Sequence, residues 1–150
     1  MVYVFIFFIF FNLIAYFVPK RLTAYEIYAT SLYAYAYGVT TDMVLSLHYN
    51  LYGYFQPGFQ WLGLLAIIMY FPSISLLFLN FYPFDKNLKR KIIYILLWTA
   101  FSVIFEWRVV KTDFFYYNGW KLIYSTLVYP LIFLILVINL KIIRRLTNKN

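Results

Sequence analysis

Apolar residues run along the chain in five long stretches separated by short connections that are basic or aromatic. The stretches cover residues 2–18, 22–47, 59–81, 92–110 and 120–140. Each approaches the length of about 20 residues that a helix needs to cross a bilayer. The pattern predicts an all-α polytopic membrane protein, a bundle of five transmembrane helices in one integral membrane domain, residues 1–150. Pro19 stops the first stretch, Pro57-Gly58 marks a turn before the third, and Tyr82-Pro83 ends it. Pro72 and Pro130 fall near the middles of the third and fifth; at Pro72 the proline frees carbonyls that Ser73 and Ser75 are placed to satisfy. The tail from Lys141 reads as a basic, frayed end.

The second stretch is the least apolar and carries a pattern of its own. Glu26, Thr30, Ala34, Gly38 and Asp42 recur every four residues, which winds them slowly around one side of a helix. Thr30, Ala34 and Gly38 at its middle form the small-xxx-small spacing that lets helices approach closely in lipid. Glu26, Thr30, Ala34 and Gly38 are therefore the expected packing stripe, and this helix the inner member of the bundle.

Charge then gives orientation. Lys20, Arg21, Lys86, Lys89, Arg90, Lys91, Lys141, Arg144, Arg145 and Lys149 fall in connections on one side, and Arg108, Lys111 and Lys121 on the other. By the positive-inside rule the N-terminus is outside and the C-terminus inside. The net charge of +8 belongs to these anchors rather than to a nucleic-acid face, since the cations do not form a stripe among polar surface residues. No cysteine is present, which excludes disulfides and thiol chemistry. No basic segment precedes the first stretch and Pro19-Lys20-Arg21 follows it, so a cleaved signal peptide is not expected.

Two sets of positions suggest an internal repeat. Trp61, Pro72 and Asn80 have offsets 0, 11 and 19, and Trp120, Pro130 and Asn139 have offsets 0, 10 and 19. Helices two and three would then match helices four and five, with helix one added.

Ionisable groups within apolar stretches are functional candidates because their burial is costly. From Lys91 to Glu106 is 15 residues, about 22 Å of helix, and from Arg21 to Asp42 is 21 residues, about 31 Å. Both carboxylates thus lie toward the outer boundary. Asp42, His48, Glu106, Arg108 and Asp113 form a candidate polar cluster there, with Arg108 as a partner for either helix carboxylate. A metal site from Asp42, His48 and Glu106 is disfavoured by spacing and ligand number. The common catalytic and phosphate-binding motifs are absent, so no catalytic residue and no cofactor is assigned.

The chain resembles a family of small, uncharacterised multi-spanning membrane proteins of spore-forming Gram-positive bacteria. The likeness lies in Pro19-Lys20-Arg21 with Glu26, Thr41-Asp42, Tyr52-Gly53-Tyr54-Phe55 with Pro57-Gly58, and Leu79-Asn80-Phe81-Tyr82-Pro83. It continues in Glu106-Trp107, Tyr117-Asn118-Gly119-Trp120 and Tyr129-Pro130. This resemblance implies a bacterial plasma membrane and no particular activity. The chain is also similar to small bacterial carotenoid cyclases, but Ser73-Ile74-Ser75 follows Pro72 where their paired glutamates would stand, so none of their sites carries over. Three functional classes follow. The first is a non-enzymatic subunit or sensor packing with a membrane partner or a second copy through the stripe. The second is a binding protein or enzyme for a lipid or isoprenoid ligand at the outer cluster, and the third a small oligomeric transporter.

Overall fold

The computed structural model describes residues 2–147. It is mostly helical, with α1 Val2–Phe17, α2 Ala24–Asp42, α3 Trp61–Phe81, α4 Leu88–Val109 and α5 Leu122–Thr147. A π-helical turn, Met43–His48, continues α2. Two three-residue strands, β1 Tyr52–Tyr54 and β2 Phe115–Tyr117, pair antiparallel with Tyr52 opposite Tyr117 and Tyr54 opposite Phe115. α3, α4 and α5 are long and apolar enough to cross a membrane, and α1 is a shorter apolar helix.

Local chemistry sets the helix ends. Thr23 and Glu26 form a reciprocal capping box at the start of α2. Asn87 accepts from the Arg90 amide and starts α4 at Leu88, so the cations Lys89, Arg90 and Lys91 stand in its first turn rather than in a free connection. The Lys20 ammonium donates to the Ala15, Tyr16 and Val18 carbonyls and closes the C-terminus of α1. The tail expected to fray is helical as far as Thr147. Ile143 is buried there and Ile142 and Leu146 are exposed, so the apolar pattern of α5 carries on past Lys141. Lys149 lies outside the described residues.

The helices close into a ring. α2 packs against α3, α3 against α1, α4 against α5, and α5 against α2. α1 meets α4 through aromatic rings, Phe7 and Phe8 on Phe105 and Phe11 on Phe101. Asn12 donates to the Phe8 and Met69 carbonyls and ties α1 to α3 beside Pro72. Ser73 bonds back to the Met69 and Tyr70 carbonyls, as a serine near a helix proline is placed to do, whereas the Ser75 hydroxyl has no partner among the described residues. The core centres on Phe78, Leu79, Val137 and Leu140. Much of the outward surface is also apolar, including Ile9, Phe10 and Leu13 of α1, Leu96, Leu97 and Ile104 of α4, and Leu127, Leu131 and Leu134 of α5.

The packing stripe is buried within the chain. Thr30 is 0% and Ala34 6% exposed, and a side chain at Gly38 would enter the ring of Phe71 on α3. Close approach at Gly38 is therefore made to the protein's own helix, and the stripe offers no free face to a partner.

The ends of the bundle differ. One gathers Lys20, Arg21, the end of α3, the start of α4 and the end of α5, and is called the basic end. At it, Asn80 accepts from the Arg21 amide and donates to the Pro19 carbonyl, pinning the α1–α2 connection to α3. Asn139, its counterpart in the expected repeat, has an amide nitrogen without a partner among the described residues, so the two asparagines do different work. The opposite end is closed by the paired strands.

Candidate functional site

Asp42 ends α2 and Glu106 stands in the last turn of α4, both at the strand-capped end. Each is 8% exposed. Burying a carboxylate in apolar surroundings is costly unless its oxygens are satisfied. Here hydroxyl groups do this. The Tyr52 and Tyr54 hydroxyls donate to the two Asp42 oxygens at 2.6 and 2.8 Å. Glu106 accepts from the hydroxyls of Tyr117, Ser125 and Tyr129. The Trp120 indole N–H donates to Ser125 Oγ at 2.8 Å, which directs the serine proton toward Glu106.

The strands exist to deliver these donors. Tyr52 and Tyr54 are two apart on β1 and both reach Asp42, while Tyr117 on β2 reaches Glu106. The donors follow their carboxylates by 10, 12 and 11 residues. Each unit then passes through a glycine of positive φ, Gly58 at 95° or Gly119 at 103°, into a helix that contains a proline. Burial drives the phenols of Tyr52, Tyr54 and Tyr117 well above their ordinary range, and the adjacent carboxylates add to this. All three stay protonated and able to donate.

Asp42 and Glu106 line one cavity of about 210 Å³. It runs from Tyr52, Tyr54 and Trp120 under the cap to Ala34, Ile74 and Leu136 deeper in the bundle. The eight residues from Asp42 to Ala34 correspond to about 12 Å along α2. Ser75, 1% exposed and with its hydroxyl unpartnered, also lines it. An engineered apolar cavity of about 150 Å³ is enough to hold benzene, so this one has room for a larger group.

The remaining members of the expected cluster lie elsewhere. Arg108 pairs with neither carboxylate; its guanidinium lies 5.4 Å from the Trp107 ring centre, on the exposed side of α4. Glu106 and Arg108 are two residues apart, so a helix sets them about 200° around its axis from each other. His48 is exposed against Tyr49, and Asp113 is exposed. Among the described residues no three His, Cys, Asp or Glu side chains gather as a metal site. Glu26 belongs to the basic end, where it meets Arg144 at 2.5 Å. The tyrosines of the two connections in part turn inward as hydroxyl donors. Their placement two residues apart, Tyr52-Gly53-Tyr54, was the available signal, since alternate residues of a strand share a face.

Compared with known proteins, the chain matches no family model, no curated protein and no solved structure.

Proposed function

We propose that this chain is a multi-pass protein of the bacterial plasma membrane whose interior cavity binds a small lipid-like ligand. All five helices span, with the N-terminus outside, the basic end in the cytoplasm and the strand cap facing out. Support for the spans comes from the apolar outward surface, which in water would be far larger than a soluble monomer exposes. Support for the orientation comes from the lysines and arginines gathered at the basic end. The likeness to the spore-former membrane proteins supports the host class.

One observation carries the binding reading: an apolar cavity with a few convergent polar groups at one end, the usual form of a small-molecule site. The partner-docking reading rested on the small-residue stripe, which is taken up inside the chain. Ligand held by the protein is tested by mass spectrometry of organic extracts from purified protein. Wild type should release a stoichiometric small molecule, and Ser75→Leu, which fills the cavity, should not. Equal extracts from both would refute the reading. Orientation is tested in this cysteine-free chain with single cysteines at Lys86 and Asp113, both exposed. An impermeant thiol reagent on whole cells should label position 113 and spare position 86, and the reverse pattern inverts the topology.

A further inference from the structure

Charge distinguishes this cavity from an ordinary lipid pocket. Two carboxylates line it, and none of the lining residues is lysine, arginine or histidine. The cations nearest in sequence are directed away: Arg108 and Lys111 both lie on the exposed Trp107 ring, Lys111 with its ammonium 3.7 Å from the ring centre. Lys121 is exposed. The partners of Asp42 and Glu106 are all hydroxyl groups, which can donate to a carboxylate without carrying a charge of their own. Hydroxyl dipoles satisfy the oxygens but bring no positive charge to them. Around the same carboxylates stand the rings of Tyr52, Tyr54, Tyr70, Phe115 and Trp120. Aromatic faces attract cations, most strongly where water is excluded. Below them the lining becomes apolar, through Ile74, Phe133 and Leu136. The Ser75 hydroxyl, buried in the same wall, is an additional polar group without a partner among the described residues.

We infer that the ligand is an amphipathic organic cation, an amine whose charged end sits between Asp42 and Glu106 under the aromatic cap while its apolar part fills the bundle below. The inference rests on the reading of the cavity as a ligand site and names its chemical class. Neutral lipids and fatty acids lack the charge the carboxylates call for, and a fatty acid would add a third negative charge.

The test compares three probes with the same chain: octylammonium, octanol and octanoate. Purified full-length protein is placed in phosphatidylcholine nanodiscs at pH 7, and saturable changes in tryptophan fluorescence are read against empty nanodiscs. Octylammonium should bind at least tenfold more tightly than octanol, and octanoate more weakly than either. The double variant Asp42→Asn/Glu106→Gln, checked for folding by its thermal transition, should bind octylammonium and octanol about equally. Octanol binding as tightly as octylammonium to wild type would overturn the cation assignment and leave the cavity a neutral-ligand site. No saturable binding of any of the three would overturn both readings. Because the decisive comparison uses wild type, it stands even if the double variant does not fold.

Discussion

The two ends of the bundle use the same side-chain chemistry for different purposes. At the basic end, Glu26 closes the capping box of α2 and meets Arg144 of α5, whose guanidinium also lies 4.5 Å from the Phe84 ring centre. Its charge is matched, and it joins the start of α2 to the last turn of α5. At the capped end, Asp42 and Glu106 are as well hydrogen-bonded but pair with no cation among the described residues, and both face a cavity. Folding alone gives no reason to keep an unmatched buried charge, because an apolar or neutral residue would be cheaper. The difference teaches that hydrogen-bond satisfaction and charge compensation are separate tests. A group that passes the first and fails the second is the one to examine for function.

The largest way to disturb this arrangement is at the close contact between α2 and α3. Gly38→Leu would drive a side chain into the Phe71 ring, and overpacking in a tight core costs about 1–3 kcal/mol, often more at a helix crossing. Thermal unfolding in nanodiscs should show the loss, which would appear as misfolding rather than as a change in assembly. Next is Glu26→Ala, which removes a cap and an ion pair together, about 2 kcal/mol in all. Arg144→Met should cost less, because Glu26 keeps its bonds to Thr23. Tyr52→Phe and Tyr54→Phe each remove one donor from Asp42, worth about 1.5 kcal/mol, the low end for a bond to a carboxylate because the other donor remains. If either of these unfolds the protein as strongly as Glu26→Ala does, the capped end is structural too and the contrast fails. The smallest expected effect is that of Ser75→Leu, within about 1 kcal/mol and in the stabilising direction, since it replaces an unpartnered hydroxyl and fills space.

Much of the helical layout is legible in the sequence because burial in lipid and local capping are both local signals. The stretch 2–18 becomes Val2–Phe17, and 59–81 becomes Trp61–Phe81. Boundaries move where charge was taken for loop: Asn87 starts α4 ahead of its cations, and α5 carries three cations on to Thr147. Asp42 and Glu106 stand out as carboxylates within apolar runs, but their donors do not. The strands are three residues each, too short for a period, and pair across more than 60 residues of sequence. Tyrosine in a membrane connection reads as an interfacial anchor until a carboxylate is found within reach of its hydroxyl. Arg108 shares the depth of the two carboxylates, but helical phase turns it away from Glu106 and onto Trp107, and depth alone does not show phase.

The comparison between the two ends can be settled by measuring unfolding temperatures of wild type, Glu26→Ala and Asp42→Asn/Glu106→Gln in the same nanodiscs without ligand. If the unmatched carboxylates are kept for binding, neutralising both leaves the transition where it was or raises it, while Glu26→Ala lowers it. A double variant that melts as low as Glu26→Ala, or lower, would show that Asp42 and Glu106 hold the fold together and would contradict the account.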